Sequence, residues 1–93
     1  MIKVIQINKV EPYAVECTFN NGISKKLDVY PLIQNHKNLA GIEQLLEVPI
    51  FKNVRIGEMG ELVWDNIIKT EYNGETMLMN YDISPEFAFS NAK

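Results

Sequence analysis

Three glycine-closed turns, Asn20-Asn21-Gly22, Glu58-Met59-Gly60 and Asn73-Gly74, separate segments rich in β-branched and aromatic residues, and they commit most of this 93-residue chain to antiparallel hairpins. Counting cross-strand pairs selects the loop length of each. At the first turn a two-residue loop would set Val15 opposite Asp28 and Phe19 opposite Ser24, mixing polar with apolar side chains. A three-residue loop with Gly22 in the left-handed conformation instead pairs Phe19 with Ile23, Val15 with Leu27, Tyr13 with Val29 and Glu16 with Lys26. Lys25 then falls beside the apolar stripe and must snorkel from an edge. At the second turn a three-residue loop pairs Ile56 with Leu62 and Val54 with Trp64, whereas a two-residue loop opposes Glu58 to Glu61. At the third, a two-residue loop places Ile68 with Met79 and Thr70 with Met77.

The rest of the chain fits around these hairpins. Residues 3–10 alternate imperfectly, with apolar side chains on both faces, but their β-branched content predicts a strand that Pro12 ends. Tyr30-Pro31-Leu32-Ile33 predicts a short turn, and polar residues 34–38 a loop. Leu39, Ile42, Leu45 and Leu46 fall at helical spacing between an available Asn38 cap and Pro49, predicting a helix over 39–47 that Gly41 weakens by ~1 kcal/mol. Ser84-Pro85-Glu86 reads as an N-cap, a helix-opening proline and a first-turn acid, so a short C-terminal helical turn carries Phe87 and Phe89. The expectation is one α+β domain over 1–93, made of antiparallel hairpins, one short α-helix and a C-terminal helical turn.

Composition narrows the function classes. Apolar residues make up 46% and charged residues 23%, which is globular rather than disordered make-up. Cys17 is the only cysteine, so an intrachain disulfide and a thiolate zinc cluster are excluded, and a small buried hydrophobe is expected there. No segment has the apolar run of a signal peptide or membrane span, which makes the cytoplasm the expected location. The net charge of -3 is unevenly spread. Five lysines before residue 41 face only Glu11, Glu16 and Asp28, while the second half is acidic. A nucleic-acid reading would have to use Lys3, Lys9, Lys25, Lys26 and Arg55, which form no dense basic stripe.

The opening strand, the 15–19 segment with its Asn21-Gly22 turn, Leu27-Asp28-Val29 before Pro31-Leu32, Leu45-Leu46 before Phe51, Trp64 at a strand end and Asp82-Ile83-Ser84-Pro85-Glu86 follow in an order that covers most of the chain. In this order the chain resembles the small bacterial domains grouped as domain of unknown function 2442. The resemblance implies an α+β fold without an assigned activity, and in some members a link to a helix-turn-helix domain or a small partner protein. No helix-turn-helix signature is visible in this sequence. It also departs from the family where the tryptophan should lead within a few residues to the Asp-x-x-Pro ending. Here residues 67–80 intervene as an inserted hairpin.

Catalytic inventory is thin. His36 is the only histidine and sits in a polar stretch beside Lys37, where a surface role is expected. Ser24, Ser84 and Ser90 lack a nucleophile motif, and no phosphate loop or dinucleotide fingerprint occurs. An enzyme reading would need a divalent cation held near Glu58, Glu61 and Asp65; no cofactor is expected. Gly57-Glu58-Met59-Gly60 has the glycine spacing of a KH clamp, but it lies between strands and offers an acid where phosphate wants a base. Trp64 is either a core anchor or an exposed aromatic spot. Met77-Leu78-Met79 must point to both faces of a ribbon, so with Ile67 and Ile68 it marks a candidate interface unless Phe87 and Phe89 fold back over it. These features predict a non-catalytic binding or regulatory module working through protein contacts, as a homodimer or with a small partner.

Overall fold

The Asn20-Asn21-Gly22 loop closes as side-chain segregation requires. In a computed structural model, which describes residues 1–93, β1 (Val4–Glu11), β2 (Ala14–Phe19) and β3 (Ser24–Asp28) form an antiparallel sheet in the order β1-β2-β3. Gly22 has φ +85°, and its N–H donates to the Phe19 carbonyl at 2.9 Å. Val15 faces Leu27 and Glu16 faces Lys26, while the Val29 N–H reaches the Tyr13 carbonyl at 2.8 Å. One face of β2 therefore sends Val15, Cys17 and Phe19 into the core. Ile23 joins the turn but stays exposed. Lys25 snorkels beneath the C-terminal helix, with its ammonium 3.9 Å from the Phe89 ring centroid and bonded to the Phe89 carbonyl.

The connection between the sheets departs from the expected turn, loop and helix. Residues 30–33 do not merely turn: α1 (Tyr30–Asn35) continues through Gln34 and Asn35 because Ile33 plugs into the core. Residues 39–47 are not an α-helix. Gly41 takes φ +99°, which breaks helical continuity, and only a 3-10 helix, Ile42–Leu46, follows it. The apolar spacing still identified the inward side chains, since Ile42 and Leu45 are buried and Leu39 and Leu46 pack on the core. Pro49 then sits in the first turn of α2 (Val48–Phe51), where its missing N–H costs no intrahelical bond.

The second sheet has the order β4-β5-β6, built from Arg55–Ile56, Leu62–Tyr72 and Glu75–Ile83. Ile56 faces Leu62 and Arg55 faces Val63, as the three-residue loop requires, and Gly60 has φ +79°. The β4 ladder ends at Arg55, so the expected Val54–Trp64 pair lies outside it. Ile68 faces Met79 and Thr70 faces Met77 across the Asn73-Gly74 turn, whose two residues both have positive φ. Ser84 caps α3 (Pro85–Asn91) by accepting the Phe87 N–H at 3.1 Å. The Val4 N–H bonds the Gly60 carbonyl across the two sheets. One core containing Phe19, Leu27, Phe51, Leu62 and Trp64 serves both.

Candidate interaction surface

β5 and β6, of eleven and nine residues, are the two longest strands of the molecule and form one hairpin. Its root is built into the core: Ile67 is buried, and its carbonyl accepts from Gln44 Nε2 at 3.1 Å. The Lys69 N–H donates to the Ala40 carbonyl at 2.8 Å. Between Trp64 and Ile68 the register shifts, leaving three β5 residues against Asn80 alone. Asn66 occupies this bulge at φ +56°, with its N–H held by Asn80 Oδ1 at 3.0 Å. Such a bulge bends and re-aims a ribbon.

Beyond this root every residue from 69 to 80 is exposed. Paired residues share a face, so Ile68 and Met79, Thr70 and Met77, and Tyr72 and Glu75 lie on one side, while Lys69 with Leu78 and Glu71 with Thr76 lie on the other. The first face is a stripe of Ile68, Met79, Met77 and Tyr72 that extends the core-facing line of Ile83 and Tyr81 along β6. Tyr72 is 67% exposed, Met77 53%, Leu78 52% and Met79 55%. The Thr70 hydroxyl turns toward the Met79 sulfur at 3.4 Å and so sits within the stripe.

The structure separates the residues grouped by the sequence. Met77, Leu78 and Met79 are open, Ile68 is half-covered by the core, and Ile67 is core rather than surface. Phe89 packs edge-on against Phe19, with centroids 5.0 Å apart, and does not reach the methionines. Phe87 points outward, 41% exposed. Trp64 is no exposed aromatic: it is fully buried, and its indole N–H donates to the Phe51 carbonyl at 2.8 Å.

Most of the remaining candidate groups are tied up within the chain. Asp65 takes a bidentate pair of 2.8 Å bonds from Arg55, which hold its carboxyl below the usual range. Glu61 Oε1 accepts the Met59 N–H, closing the loop that carries Glu58. No three His, Cys, Asp or Glu side chains gather. Lys26 pairs with Glu11 at 2.8 Å, so with Lys25 and Arg55 three of the five basic residues are engaged. No helix is long and apolar enough to cross a membrane.

His36 departs from its expected place on the surface. Its Nδ1 lies 2.8 Å from the Tyr81 hydroxyl and its ring meets Tyr81 edge-on. Burial, with a smaller contribution from Asp82, pushes the Tyr81 phenol up. The two rings border a cavity of about 280 Å³ that is also lined by Leu32, Ile83 and Phe87 at the end of β6. Nothing in the sequence brings residue 36 to residue 81; the Pro31-led helix does so by turning the chain back over β6. No family model, curated protein or solved structure matches the chain.

Proposed function

We propose that this protein is a non-catalytic, cytoplasmic interaction module, akin to the small bacterial domains it resembles, whose inserted β5–β6 arm is its contact element. One observation carries the reading. A twelve-residue stretch, 69–80, stands clear of the body with an uncovered apolar face on it. Single exposed apolar residues are ordinary, but a contiguous stripe on a protruding ribbon is what interaction surfaces present. An isolated two-stranded ribbon is also marginally stable in water, so a partner that covers it contributes order as well as contact.

A photoreactive phenylalanine analogue at Tyr72 or at Met77 tests this in the expressing cell. Protein adducts are expected from both positions and not from a control position at Glu43, an exposed residue of the 3-10 helix outside the arm. Absence of adducts from both arm positions, with the protein folded, would contradict the proposal.

A further inference from the structure

The two edges of the arm are not equivalent. The Asn73-Gly74 turn is flanked by a hydrogen-bonded pair, Tyr72 and Glu75, so the pairs 71–76 and 69–78 are the non-bonded ones whose N–H and C=O groups point away from the ribbon. Lys69 confirms this parity, because its N–H leaves the hairpin to reach Ala40. Ala40 and β4 thus occupy the outer edge of β5, while β6 ends the sheet and offers the outward groups of Thr76, Leu78 and Asn80. Natural edge strands are protected by lysine, proline, bulges or brevity. β6 has nine residues, no lysine, no proline and no charge between Glu75 and Asp82.

From this edge we infer that the arm's partner is a second copy of this chain, joined through antiparallel pairing of β6 with β6 about a two-fold axis at Leu78. The inference rests on the arm being the contact element, and it specifies what the arm contacts. Strand parity admits only registers centred on a residue, and their side-chain pairings differ. Centred on Leu78, like meets like: Leu78 faces its own copy, Met77 faces Met79, and Thr76 faces Asn80. The charges also fit. Glu75 comes opposite Tyr81, next to His36, and Asp82 comes opposite Gly74, so no carboxylate opposes another. Centred one residue later, on Met79, the same strands would set Leu78 against Asn80 and Glu75 against Ile83, near Glu86.

The Leu78 register also gives the apolar stripe somewhere to go. It lays the arm tip of the second copy along the cavity beside Tyr81 and Ile83. Tyr72 of that copy lies one strand further out, about 9–10 Å from Tyr81 and on the same side as Phe87. Two closed edges result, and the two-fold arrangement stops further strand addition.

Sedimentation of the full chain across a concentration series, with three variants, tests this. The unmodified protein should shift from monomer to dimer as concentration rises. Leu78→Cys should oxidise to a covalent dimer, since a bonded pair on the axis holds its Cα atoms about 5.5 Å apart, within disulfide reach. Met79→Cys should not, because its own copy lies diagonally, at about 7–8 Å. Leu78→Lys should remain monomeric with an unchanged circular dichroism spectrum. Cross-linking through Met79→Cys in place of Leu78→Cys, or a dimeric Leu78→Lys, overturns this pairing but leaves the arm as the contact element. A monomeric chain whose arm still forms adducts with a different protein overturns the second copy alone. A monomeric chain with no arm adducts overturns both.

Discussion

Gly41 and Ile67 meet backbone to backbone: a Cβ on Gly41 would lie 2.0 Å from the Ile67 carbonyl oxygen, and the glycine holds φ +99°. This contact seats the root of the arm on the segment before the 3-10 helix. Gly41→Ala has to bear a left-handed alanine, which costs about 1–2 kcal/mol, and must also displace the Ile67 carbonyl. A loss of at least about 2 kcal/mol in urea unfolding is expected. An unchanged midpoint would show that the arm is not seated there.

Trp64 anchors the same strand, β5, three residues earlier and in the same core. Trp64→Phe removes the donor to the Phe51 carbonyl and leaves space in a fully buried site. The expected cost is about 2–4 kcal/mol by denaturant unfolding. Polar replacements at Met77 or Met79, by contrast, should change the stability of the dilute, monomeric chain by less than about 0.5 kcal/mol, because nothing in the chain itself buries them.

Burial pushes the Cys17 thiol from an ordinary value of 9.0 to about 11. A raised value in the folded state means that stability is fully present below pH 9 and lost as pH rises toward 11, because the unfolded thiol ionises first. Tyr81, also raised by burial, acts with the same sign on the alkaline side. Melting temperature should therefore fall on that limb, and Cys17→Ala should flatten part of the fall while lowering stability below pH 9, where the thiol is neutral in both states. In the folded protein at neutral pH, Cys17 should resist a thiol reagent until denaturant is added.

Much of the fold was legible because hairpin register is a local property. The segregation of Val15 from Glu16, the like-charge clash of Glu58 with Glu61 and the Asn73-Gly74 pair each select a loop without reference to the rest of the chain. The helix expected over 39–47 fails for the opposite reason. Its apolar spacing is real, but the conformation of Gly41 is set by Ile67, more than twenty residues away in the chain. The candidate surface was legible in Met77-Leu78-Met79, since adjacent apolar residues on a ribbon cannot share a face. The burial of Ile67, the bulge at Asn66 and the bond between His36 and Tyr81 were not, because each depends on where the arm leaves the body.

The most direct measurement is amide hydrogen exchange along β6 as a function of protein concentration. The amides of Thr76 and Leu78 point out of the ribbon and have no partner within the chain, so at low concentration they should exchange quickly. If the arm is a contact element that pairs through this edge, both should become protected as concentration rises, while the buried amide of Val15 stays slow throughout. Rapid exchange of Thr76 and Leu78 at every concentration, in a chain that sediments as a dimer, would place the interface elsewhere and contradict the account.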